Sequence, residues 1–110
     1  MSATQSGIES SLASIRRRID RLDERLLRAL NERAMWALAI GRIKKRRKWP
    51  VYSAKREAFV LRHVMQANGG PLSARAVKHV FQAILCECRR RERSQKRARQ
   101  STVHNPQHNR

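Results

Sequence analysis

Seven side chains in this sequence have the types and the spacing to build a site for an anion. Starting at Leu12, steps of three or four residues pass through Arg16, Ile19, Leu22, Leu26, Leu30, Arg33, Ala37, Ile40 and Lys44. These positions fall on one side of a helix with 3.6 residues per turn, so Arg16, Arg33 and Lys44 stand where a core-facing helix carries aliphatic residues. Downstream, Arg56 and Glu57 fall in the first turn of a second helical segment. Cys88 and Glu92 extend an apolar stripe through positions 77, 81 and 84 of a third. A cation on an inner face must pair with a fixed carboxylate, reach water along its stem, or meet an anion from outside. Asp20, Asp23 and Glu32 are available for local pairing. Four cations, two carboxylates and a thiol on inner stripes together point instead to the wall of an anion-binding site.

Three helices must position them. The first runs from about Ile8 to Arg47, with Ser10 or Ser11 as its cap and Trp49-Pro50 as its stop. About 40 helical residues at 1.5 Å each span roughly 60 Å, about twice the diameter of a small domain. Two shorter helices of the same chain cannot cover that length, which calls for a second copy packed along it. Ser53 caps a second helix, Ala54 to about Ala67, with Phe59, Val60, Val64 and Ala67 on its apolar side. Asn68-Gly69-Gly70-Pro71 ends it, with glycine free to take the left-handed position. Ser73 caps a third helix, whose inner side carries Val77, Val80, Phe81, Ile84, Leu85 and Cys88 and which frays after Glu92. The expected organisation is a flexible lead-in over residues 1–7, one helical domain over 8–93 and a basic disordered tail over 94–110. The fold class is all-α.

Composition narrows the partners. The chain has 110 residues, 40% hydrophobic, and a formal net charge of +18. Such a charge suits nucleic acid, acidic surfaces or small anions. Cys86 and Cys88 point to different helix faces and cannot readily bridge each other, so free thiols in a reducing compartment are expected. The polar start lacks a continuous apolar stretch, and no apolar run approaches the roughly 20 residues that span a bilayer. The expectation is a cytoplasmic protein. His63, His79, His104 and His108 offer no ligand set at metal spacing. Cys88 lacks an obvious paired base, and Trp36 and Trp49 read as packing or rim residues.

The segments LASIRRRIDRLDERLLRALNERAMWALAIGRIKK, PVYSAKREAFVLRHV and GPLSARAVKHVFQAILCECRRRE, in this order and spacing, resemble the all-helical chorismate mutases. They are most similar to the form that opens bifunctional chorismate mutase–prephenate dehydratase proteins. The resemblance covers about Leu12 to Glu92. It implies an intertwined homodimer of three-helix chains with two shared sites, each rearranging chorismate, a dicarboxylate, to prephenate, in phenylalanine and tyrosine biosynthesis. Arg33, Lys44 and Arg56 would come from one chain and Arg16 from its partner. Arg16 and Arg33 would take the two carboxylates, with Arg56 nearby. Lys44 would meet the ether oxygen and a carboxylate, and Glu57 would accept from the ring hydroxyl. Glu92 stands where the second group on the ether oxygen lies, Gln in some members and Glu in others. Cys88 replaces a common Ser, and Ser53 replaces an acidic residue of some members. No cofactor is implied, because a Claisen rearrangement is unimolecular and proceeds by holding a folded conformer and stabilising charge on the breaking bond.

Six of the seven residues in Arg42–Lys48 are basic, and a second cluster spans Arg89 to Arg99. One reading is a solvated face that steers a dianion inward, and the other is weak, nonspecific contact with nucleic-acid phosphates. Neither a helix-turn-helix spacing nor much aromatic interleaving accompanies the runs. An enzyme alternative on the same scaffold is a lyase removing pyruvate from isochorismate, and the non-enzyme alternative is a basic helical nucleic-acid-binding protein. Lys44, the RIKKRRKWPVY loop and the GPL turn favour the mutase.

Overall fold

A computed structural model describes the backbone of residues 3–101 and the side chains of residues 5–95. Three helices follow one another: α1 (Ala3–Arg47), α2 (Ala54–Ala67) and α3 (Ala74–Ser101). No strand occurs among the described residues, so the fold is all-α. The chain divides into two compact units, Met1–Arg33 and Ala34–Arg110, where the sequence suggests one domain over 8–93. The helix α1 passes through the boundary.

Both ends of the helical region differ from expectation. The backbone is already helical at Ala3, so residues 3–7 belong to α1 rather than to a loose lead-in, and neither Ser10 nor Ser11 caps it. The helix α3 continues to Ser101 through the first part of the expected tail. Residues 94–101, rich in Arg, Lys, Gln and Ala, have good helix propensity without any apolar stripe, and propensity alone carries the backbone there. The remainder of the tail, residues 102–110, lies outside the described residues.

In the first unit α1 presents Ile8, Leu12, Ile15, Ile19, Leu22 and Leu26 to solvent, with Ile8 62% and Leu26 58% exposed. A run of large aliphatics at helical spacing left uncovered is unusual for a helix of a finished globular core.

The second unit holds the core. Val60 of α2 and Val77, Leu85 and Cys88 of α3 are buried. The buried stripe of α3 keeps the expected period, with Phe81 and Ile84 half-buried along it, but Val80, expected on the inner side, is 52% exposed because it lies at the edge of the face that meets α2. On α2 only Val60 is buried; Phe59 lies outside, stacked on His63 one turn later. The caps of α2 and α3 are built as the sequence suggests. Ser53 Oγ accepts from the Arg56 amide at 3.2 Å, and Ser73 Oγ accepts from the Ala76 amide at 3.0 Å.

The stops are built differently. No described glycine has a positive φ. After α2 the side chain of Asn68 closes the turn instead, its Oδ1 accepting from the Gly70 amide and its Nδ2 donating to the Leu72 carbonyl at 2.7 Å. The left-handed residue is Lys48, φ 59°, just beyond α1. There the Trp49 amide donates to the Lys44 carbonyl at 2.8 Å and the Lys48 amide to the Lys45 carbonyl at 3.1 Å, a Schellman pair of bonds. Pro50 then prevents the helix from resuming.

Candidate active site

The turn after α1 brings the chain back over the last turn of the helix. As a result the Val51 carbonyl accepts from Lys44 Nζ at 2.7 Å. That bond fixes a half-buried ammonium near the C-terminal end of its own helix, where the helix dipole favours positive charge. Across from it on α3 lies Glu92, 8% exposed, with Oε1 4.0 Å from Lys44 Nζ. At that distance the two groups feel each other's charge without sharing a hydrogen bond. Glu92 Oε1 is buried and has no hydrogen-bond partner among the described residues.

Gly41 explains how the carboxyl reaches this place. A β-carbon at position 41 would lie 3.2 Å from Glu92 Cγ. A glycine inside a helix costs roughly 1 kcal/mol relative to alanine. Here its missing side chain lets α3 lay Glu92 against α1. Gly41, Lys44, Trp49 and Val51 face Glu92 and Gln95 across a small open recess.

Burial holds the Glu92 carboxyl above its ordinary pKa of 4.5, because an ionised group loses water there; the charges of Lys44 and then Arg93 pull the other way, and that of Glu57 adds to the rise. The net direction is upward, which favours the protonated acid. A protonated Glu92 is a donor, whereas an ionised one only accepts.

Glu57, in the first turn of α2, is held by Arg89 of α3. Arg89 Nη1 lies 3.1 Å from Oε2 and 3.4 Å from Oε1. The Arg89 guanidinium also stacks over the Tyr52 ring, 5.3 Å from its centre.

The second unit thus gathers Lys44, Glu57, Cys88 and Glu92. Cys88 is buried one turn before Glu92 on the same stripe. Ser53 serves as the α2 cap. Arg56 is exposed, its guanidinium over the Phe59 ring at 5.3 Å. Arg16 and Arg33 belong to the first unit, Arg16 exposed and Arg33 half-buried. Among the described residues neither Arg16 nor Arg56 forms an ion pair. No group of three or more potential metal ligands occurs among the described residues, and no helix there is long and apolar enough to cross a membrane.

Sequence reasoning overlooks Arg89, Gly41 and the Val51 carbonyl. Gly41 carried a signal, since an interior glycine marks a close approach. Arg89 was hidden inside a basic run, where one cation resembles the next. A main-chain carbonyl leaves no mark on residue type.

Residues 15–93 match the family model for chorismate mutase type II. The chain belongs to that family. Among chorismate mutase relatives, the bifunctional chorismate mutase/prephenate dehydratase of Pseudomonas aeruginosa is 41% identical over 85 residues, covering 73% of this chain and 23% of that protein. The corresponding Aquifex aeolicus protein is 36% identical over 81 residues, covering 70% and 22%. The chain therefore spans less than a quarter of the length of these curated relatives. Among solved structures, chorismate mutase (Form II) from Thermus thermophilus is similar with a TM-score of 0.74 and 28% identity, over 76% of this chain and 94% of that one. Form I of the same enzyme gives 0.69 at 28% identity, over 71% and 98%.

Proposed function

We propose that the protein is a chorismate mutase, an isomerase of aromatic amino-acid biosynthesis that converts chorismate to prephenate. The observation that carries this reading is the opposition, across one recess, of the fixed Lys44 ammonium and a buried Glu92 oxygen with no hydrogen-bond partner. In the rearrangement one ether C–O bond breaks as one C–C bond forms, within a single molecule. Nothing leaves and no co-reactant enters. Negative charge grows on the ether oxygen as the bond lengthens, and two donors aimed at that oxygen stabilise the transition state more than the substrate. Lys44 supplies one donor and protonated Glu92 the other. Glu57 accepts from the ring hydroxyl, and Cys88 closes the wall beside Glu92. Arg33 and Arg56 bind the substrate's carboxylates together with Arg16 of a second copy.

That second copy is part of the proposal. The uncovered aliphatics from Ile8 to Leu26 fit a homodimer in which each α1 packs along its partner's. Each large aliphatic side chain that leaves water contributes about 1.5–3 kcal/mol, so six of them are worth on the order of 10 kcal/mol before the costs of association.

The basic runs admit two roles. Contacts of Glu92 with Gly41 and Lys44 bring the run Arg42–Lys48 close to the run Arg89–Arg93, at the recess. Among the described residues Arg42, Lys45, Arg46, Lys48, Arg91 and Arg93 form no ion pairs. This concentration of cations at the mouth steers a dianion inward. The same surface supports weak phosphate contact with nucleic acid as a second reading.

Incubating the protein with chorismate, and separately with isochorismate, and identifying the products tests the activity. Prephenate from chorismate supports the mutase, and pyruvate release from isochorismate alone supports the lyase. Raising salt from 50 to 200 mM separates the surface roles. Nucleic-acid binding through several phosphates should fall by about a thousandfold or more, whereas turnover in a closed pocket weakens only modestly.

A further inference from the structure

We propose that Arg89 is a positioning residue that holds the Glu57 carboxylate in the orientation in which it meets the substrate's ring hydroxyl. The proposal rests on the chorismate mutase reading and on the place of Glu57 within it.

The geometry singles Arg89 out from its neighbours. Its Nη1 reaches both oxygens of Glu57, at 3.1 and 3.4 Å, so that neither oxygen can swing away without lengthening a contact. The two side chains are 25% and 20% exposed. Arg90, the next residue, makes the same kind of pair with Glu87 at 3.4 Å, but those side chains are 70% and 64% exposed. An exposed pair one turn apart on a single helix is screened by water and positions nothing. The Arg89 pair joins α3 to the first turn of α2 and, through the Tyr52 ring, to the loop ahead of that turn. The ring limits where the guanidinium can lie, and the guanidinium limits where the carboxylate can lie.

Holding Glu57 does not use it up. A carboxylate has about four lone-pair sites, and one nitrogen of Arg89 leaves acceptor positions for a hydroxyl. Without Arg89 this half-buried side chain can swing among rotamers, and a misplacement on the order of 1 Å costs about a hundredfold in rate.

The test is a double-mutant cycle on the full chain with chorismate as substrate, reading kcat and KM separately. Arg89→Ala should lower kcat/KM by about tenfold to a hundredfold, and Arg89→Lys should recover part of the loss, because the charge returns without the flat guanidinium that lies over the Tyr52 ring. In a Glu57→Gln background the same Arg89→Ala change should cost less than about twofold, since the residue acts through Glu57. Should Arg89→Ala fail to fold by circular dichroism, Tyr52→Leu replaces it, with a smaller loss expected that again vanishes beside Glu57→Gln. An Arg89 effect of equal size in both backgrounds, or wild-type kinetics in Arg89→Ala, overturns the proposal while leaving the mutase reading intact. A wild-type protein that does not convert chorismate overturns both.

Discussion

Two stretches of α1 carry cations on the same helical stripe and treat them in opposite ways. Around Arg16 the flanking aliphatics, Ile8 to Leu26, stand in solvent, and the cation has no carboxylate partner among the described residues. Around Lys44 the stripe is met by the chain itself. A carbonyl two residues past the turn fixes the ammonium, and a buried carboxyl faces it. The helix period is the same in both stretches, so the pattern cannot account for the difference. What differs is whether the folded chain supplies the other wall. On the proposed reading Lys44 is a finished part of a site, and the stretch around Arg16 is a surface that a second copy would complete.

The most severe way to break the comparison is to spoil the unfinished surface. Ile19→Asp combined with Leu26→Asp places two charges on the uncovered stripe. The expected result is a monomer by analytical ultracentrifugation, with helical α2 and α3 and no measurable turnover. A fully active monomer would remove the second copy from the account. Next in size is loss of the fixed cation. Lys44→Ala should cost about 3–4 kcal/mol in the barrier, two to three orders of magnitude in kcat. Dimerisation and helix content should stay unchanged. Arg33→Ala should behave likewise, and near-wild-type turnover in either variant contradicts the assignment.

A finer effect belongs to Glu92. Its raised pKa means that the protonated donor is present at low pH and is lost as pH rises through the folded-state value. Activity should therefore fall with rising pH over that window, and Glu92→Gln should flatten the profile. Stability follows the same sign: the contribution is complete below the ordinary value of 4.5 and disappears as pH rises through the higher folded-state value. Denaturant titrations of the Gln variant should lack that slope, and an unaltered pH–rate profile would rule out the protonated donor. The smallest expected effect concerns the turn that aims Val51 at Lys44. Lys48 is exposed and sits at φ 59°, a conformation glycine adopts freely. Lys48→Gly should stabilise the fold by up to about 1 kcal/mol without changing kcat, as read from chemical denaturation.

Much of the scaffold was legible because it depends on residue type at short range. Ser53 and Ser73 cap where hydroxyls precede helical periodicity, and the stripe from Val77 to Glu92 buries as its spacing requires. Lys44, Glu57 and Glu92 were legible as site candidates for the same reason: each interrupts a pattern or opens a helix. The illegible parts depend on contacts between distant positions or on backbone freedom. Arg89 and Arg90 are the same amino acid side by side, yet one grips a residue 32 positions away while the other stays on its own helix. Lys48 rather than a glycine takes the left-handed position, and the stop after α2 belongs to the Asn68 side chain. The helical backbone of residues 94–101 carries no apolar period to announce it.

The claim that each site is completed by a second copy is tested most directly by mixing two inactive variants. Arg16→Ala spoils what a chain lends to its partner, and Lys44→Ala spoils what it keeps for itself. After unfolding and refolding together in equal amounts, half the dimers are hybrids, and each hybrid holds one intact site. The account predicts recovery of about a quarter of wild-type activity from the mixture. A mixture as inactive as either variant alone would contradict the sharing of the site between chains.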